Sequence, residues 1–84
     1  MAKKEHLLKT WRPYYGEVVK GNKTFEVRKA DRNFEKGDLI CLQEYIPEGD
    51  YYTGGEYWVK ITYVLEGGNF GVEKGFVVLG IKKI

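Results

Sequence analysis

The chain has 84 residues, 43% of them hydrophobic, with 14 Lys and Arg against 12 Asp and Glu for a net charge of +2. That describes one domain, residues 1–84, without room for a second core; it is too apolar for a disordered segment and too balanced in charge to attract nucleic acid strongly from a distance. No run approaches the ~20 apolar residues of a membrane-spanning helix, and MAKKEHLLK holds too short an apolar run for a signal peptide, so the sequence points to a cytoplasmic protein with no membrane partner.

The first element is a short strand, HLLKTW. RPYYGEVVKGN follows as a helix of barely two turns, with Pro13 suited to the first helical position and Gly21-Asn22 to a left-handed stop. Within it, Tyr14 with Val18 and Tyr15 with Val19 are i,i+4 pairs placed to cover the core. KTFEVRK is the second strand. At a period of two, Thr24, Glu26 and Arg28 share one face and Phe25 and Val27 the other; the apolar pair is expected to face the core. DLICLQEY is a third strand, and its four consecutive apolar residues imply burial on both faces. IPEGDYYTGGE reads as a mobile loop. EYWVKITYVLEG is the longest strand, with Tyr57, Val59, Ile61, Tyr63 and Leu65 on one face. GGNFGVEKG is a glycine-rich loop, and FVVLGIKKI closes the chain. Five strands with one early helix, joined by short connections, make an α+β, mainly β domain: a five-stranded barrel or strongly bent sheet. A chain this short buries only about 60–65% of its unfolded surface, and its 2 Trp, 7 Tyr and 4 Phe compensate for the thin core.

Several chemistries are excluded by composition. The chain has no serine, so it is not a serine hydrolase, and its one histidine, His6, has no partner spaced to share a metal or relay a proton. His6 is expected to be an ordinary strand or surface residue. The single Cys41 lies in the apolar run DLICL and reads as an inert core residue in a reducing compartment. LEGGNFGVEKG lacks the P-loop pattern. Nothing calls for a metal or a cofactor. Charge is unevenly spread: residues 1–37 carry ten Lys and Arg against five acids, and residues 38–73 carry one Lys against seven acids. The chain can thus present a basic and an acidic face.

Lys23, Glu26 and Arg28 remain as the candidate site. Glu26 and Arg28 emerge from the same strand face about 6.5–7 Å apart. They can form a surface ion pair worth roughly 0–1 kcal/mol. Alternatively they line a cleft in which Glu26 accepts from the amino groups of a base and Arg28 forks onto a phosphate or carbonyl, with Lys23 adding a point charge. Trp11, at the start of the helix, is the preferred stacking ring, and Arg12, Lys29 and Arg32 are outer phosphate-steering charges.

GNKTFEVR resembles the G-x-K-x-x-E-x-R motif of the ASCH superfamily, whose fold is similar to the PUA-like β-barrel. The likeness extends through RKADRNFEKGD, LQEY and FGVEKGFVVL, from His6 to Lys82, to a compact ASCH-like family of bacteria and phages described as a domain of unknown function. The resemblance implies a barrel with the helix near one opening and a cleft that binds RNA or a nucleotide-like ligand, and the leading expectation is a binding module without catalysis. One branch of the superfamily is an amidohydrolase acting on N4-acetylcytidine through a Lys, a Thr and a distant Glu. In that alternative Lys23 is the activator and Glu26 an acid/base partner, but Glu26 stands where the branch has its Thr, Thr24 is two residues away, and the distant Glu has no counterpart. A second alternative is a protein-interaction module using the acidic stretch between Tyr45 and Trp58.

Overall fold

The computed structural model describes residues 3–84; Met1 and Ala2, at the head of the expected domain, lie outside the described residues. The elements run β1 (Glu5–Trp11), α1 (Tyr14–Val19), β2 (Phe25–Lys29), β3 (Leu39–Ile46), β4 (Tyr51–Glu66) and β5 (Phe76–Lys83). The five strands form one mixed sheet in the order β1-β3-β4-β5-β2. Only β1 and β3 are parallel, which α1 and β2 make possible by lying between them in sequence. The sheet curls into a half-barrel, so its two terminal strands, β1 and β2, approach each other across an open seam.

Alternation places the core. In β1, His6, Leu8 and Thr10 are buried and their neighbours exposed. Ile40, Cys41 and Leu42 of β3 are all at most 1% exposed, as an uninterrupted apolar run in a central strand requires. Leu8, Ile40, Leu42, Val59, Ile61, Val77, Leu79 and Ile81 fill the concave side, capped by Val18 of α1 and by Phe34. Burial pushes the Cys41 thiol above its ordinary pKa, with a smaller contribution from Glu56, as an inert thiol requires. In α1, Val18 and Tyr15 pack on the core, whereas Tyr14 and Val19 are exposed; a six-residue helix has too narrow a buried face for both expected pairs. Gly21, at φ +84, ends the helix in the left-handed region that glycine enters freely.

Three expectations about β2 and β4 are overturned. Tyr51 to Glu56 are strand, not loop: the connection is a turn at residues 47–50, and the hairpin absorbs Thr53-Gly54-Gly55 as a bulge where the register shifts between Gln43 and Tyr45. In β4 a second irregularity lies between Ile61, opposite Ile81, and Tyr63, opposite Gly80. The extra residue flips the strand's parity, so Val64 joins the core and Tyr63 is 64% exposed. The third reversal is in β2. Glu26 is 3% exposed, while Phe25 and Val27 are about half exposed. Pairing with β5 sets this: Glu26 lies opposite buried Leu79 and Arg28 opposite buried Val77. The charged face points inward because β2 borders the seam, where polar groups of β1 wait across the gap.

His6 has a partner after all. Its Nε2 lies 2.8 Å from Asp38 Oδ2, both side chains buried, and its ring is tilted on Phe34 at 4.8 Å. Asp38 Oδ2 also accepts the Glu35 N–H at 3.0 Å. Burial alone raises the Asp38 pKa, but the His6 and Glu35 hydrogen bonds outweigh it and hold the carboxyl below its ordinary 3.8. The pair is 32 residues apart in sequence and ties β1 to the turn before β3.

Candidate functional site

The seam beside α1 opens into a cleft of about 300 Å³. Its floor is built by β2. Glu26 Oε1 is bonded to Lys23 Nζ, and Oε2 accepts Arg28 Nε at 3.1 Å and an Nη at 2.7 Å. The Arg28 guanidinium then crosses the seam, donating to the Lys9 carbonyl at 2.9 Å and the Thr10 hydroxyl at 3.2 Å, both on β1. Thr10 in turn donates to the Leu8 carbonyl at 3.2 Å. Lys23 Nζ also donates to the Phe25 carbonyl at 2.6 Å. The Arg28 hydrogen bonds to Lys9 and Thr10 link strands that share no backbone ladder, and the ion pairs with Glu26 hold that guanidinium in place across the seam.

A donor count shows what is left for a ligand. Guanidinium carries five N–H groups and ammonium three. Arg28 makes four hydrogen bonds and Lys23 two among the described residues, so each retains one donor. The Glu26 side chain is 4% exposed, whereas Lys23 and Arg28 are 19% and 22% exposed. The carboxylate is thus the buried anchor and the cations are the accessible groups. Trp11 and Tyr14 wall the cleft and are each about half exposed. Two spare N–H donors beside two aromatic side chains can take a planar ring and an anionic or carbonyl oxygen.

Lys23, Glu26, Arg28 and Trp11 come together here as the spacing and the helix start suggest. Arg12 does not line the cleft; its Nε lies 3.3 Å from Glu44 Oε2. Lys29 and Arg32 lie past Arg28, along a second groove. Thr24 is exposed and lines another cleft, with Val18 and Ile81, so its hydroxyl is not in the site. Lys9, Thr10 and Tyr14 also belong to the cleft. Only Tyr14 carried a sequence signal, as an aromatic beside Trp11. Among the described residues no group of three or more His, Cys, Asp or Glu could hold a metal ion, and no helix is long and apolar enough to cross a membrane.

Fold and cleft together define a small mainly β domain, a half-barrel whose seam holds a cation–carboxylate–cation cluster. The chain belongs to the family described as Domain of unknown function (DUF3850), whose model matches residues 5–81. It is 36% identical over 66 residues to the "Uncharacterized 12.9 kDa protein in GpA 3'region" of Escherichia phage P2. That match takes in 79% of this chain and 59% of the phage protein, so the chain spans less than two thirds of that relative's length.

Proposed function

We propose that the cleft binds a nucleotide unit, free or within RNA, without catalysing its conversion. The observation that carries this reading is the pair of half-exposed rings, Trp11 and Tyr14, set beside two cations that each keep one free donor. A nucleobase stacks on such rings for about 1–3 kcal/mol. The spare Arg28 and Lys23 donors then take a phosphate oxygen or a base carbonyl. Glu26 acts from beneath, fixing both cations, and does not itself read the base. The likeness of GNKTFEVR to the ASCH motif supports the same reading, since its three charged positions are the three that converge. In this reading Lys29 and Arg32 are the outer steering charges, and Arg12, paired with Glu44, adds less.

The test is titration with the four ribonucleoside monophosphates and an RNA hexamer, followed by tryptophan fluorescence and calorimetry. Trp11→Ala is expected to weaken binding roughly 5- to 150-fold, the stacking energy converted at 1.4 kcal/mol per decade. Because Trp11 is 51% exposed, its melting temperature should stay within about 4 °C of wild type. Absence of binding by the wild-type protein at millimolar ligand, or equal affinity of the variant, would overturn the proposal.

A further inference from the structure

We infer that the ligand is a single-stranded nucleic acid running along the whole seam, with a second nucleotide seated in the groove beyond Arg28. The inference rests on the nucleotide reading above and extends it from one unit to a strand.

The second groove has a volume of about 400 Å³ and shares Lys9 and Arg28 with the first cleft. The first cleft takes Thr10 and Trp11 from the later part of β1, Lys23 from just before β2 and Glu26 from its start; the second takes Leu7 and Leu8 from earlier in β1, Lys29 from the end of β2 and Arg32 from beyond it. The two cavities therefore adjoin at Lys9 and Arg28 in a furrow along antiparallel borders, and the second extends past β1 to Gln43 of β3 and Tyr52 of β4. From Leu7 to Trp11 the furrow extends about 13 Å at the usual strand rise. A nucleic-acid strand advances about 3.4 Å per nucleotide in a duplex, so two steps take about 7 Å and fit with room for the strand to stretch to nearly twice that rise.

The chemistry of the two parts is repeated. The first has Trp11 and Tyr14 as stacking faces; the second has Tyr52, half exposed, with the Gln43 amide beside it to pair with a base edge. Lys29 and Arg32 supply charge to the second as Lys23 does to the first. Arg32 is bound only loosely to its neighbour Asp31, at 3.4 Å with both side chains exposed, a pair that a phosphate readily displaces. Five cations, Lys9, Lys23, Arg28, Lys29 and Arg32, line the furrow against two carboxylates, Glu26 and Asp31. A mononucleotide fills one part and leaves the other's charge unanswered; a strand whose backbone passes over Arg28 answers both.

The test measures affinity against length: nucleoside monophosphate, dinucleotide, trinucleotide and hexanucleotide, as mixed-sequence RNA and as DNA, by competition with a fluorescein-labelled hexamer. Affinity should rise at least tenfold from monophosphate to trinucleotide. With about three phosphate contacts, hexamer binding should weaken roughly 20-fold between 50 and 200 mM salt. Lys29→Glu with Arg32→Glu, both at exposed positions, should lower hexamer affinity at least tenfold and shrink the ratio between hexamer and monophosphate. A monophosphate that binds as tightly as the hexamer overturns the strand while leaving the nucleotide reading standing, as does an unchanged ratio in the double variant. Failure of every length to bind removes both. A preference for RNA or DNA identifies which strand is taken, and equal affinity shows that the 2′-hydroxyl is not read; each sustains the inference.

Discussion

Glu26→Gln is the substitution most directly tied to the site's architecture. Gln preserves the volume but has one acceptor oxygen in place of two, and its amide N–H groups confront whichever cation the oxygen does not serve. Lys23 and Arg28 then lose their counter-charge while about four-fifths of each side chain stays out of water. Removing one partner of a buried ion pair costs about 3–5 kcal/mol; since both cations keep some solvent contact, we take the lower end, about 3 kcal/mol. For a domain of this size each kcal/mol moves the midpoint by about 4–8 °C, so the melting temperature should fall by roughly 12–24 °C. Circular dichroism melts of wild type, Lys23→Met, Glu26→Gln and the double variant complete the cycle, and the double variant should be at least about 1 kcal/mol more stable than the summed single effects imply. A Glu26→Gln midpoint within about 2 °C of wild type, or strictly additive single effects, would refute the view that this carboxylate anchors the cations. Glu26 and Arg28 thus hold the fold together as well as the cleft, which is why Trp11 carries the affinity test.

Three further outcomes follow from the fold. Val27→Thr, on the outward face of β2, should change stability by no more than about 0.5 kcal/mol in urea unfolding; a loss of 2 kcal/mol would put the apolar face inward. Asp38→Asn should flatten the acid limb of stability. The folded carboxyl titrates below 3.8, so the unfolded chain binds more protons in that window, and the wild type loses stability as pH falls below about 4; superimposable acid limbs would exonerate Asp38. At Gly67 a Cβ would overlap the Glu73 carbonyl oxygen and come within 2.5 Å of that of Phe76, both backbone atoms. Gly67→Ala should therefore cost about 3 kcal/mol or more, and a variant with an unchanged urea midpoint would contradict that packing.

The sequence by itself determined the number and order of the elements and the identity of the ion cluster. HLLKTW read as a short first strand, the unbroken DLICL marked a strand buried on both faces, Gly21 ended the helix, and the spacing of Lys23, Glu26 and Arg28 put the three charges within reach of one another. Tertiary structure decided which way those faces turn. A period of two says that Glu26 and Arg28 point together, but pairing with Leu79 and Val77 of β5 turns them inward. One extra residue near Thr62 exchanges the faces of β4, and a bulge draws Thr53-Gly54-Gly55 into a hairpin that composition alone marks as loop. The contacts that make the site run between Arg28 and β1, 18 and 19 residues away in the chain, and the His6–Asp38 pair spans 32. Local periodicity is written residue by residue. Its sign, and every contact across the seam, depend on where the curl of the sheet brings distant strands.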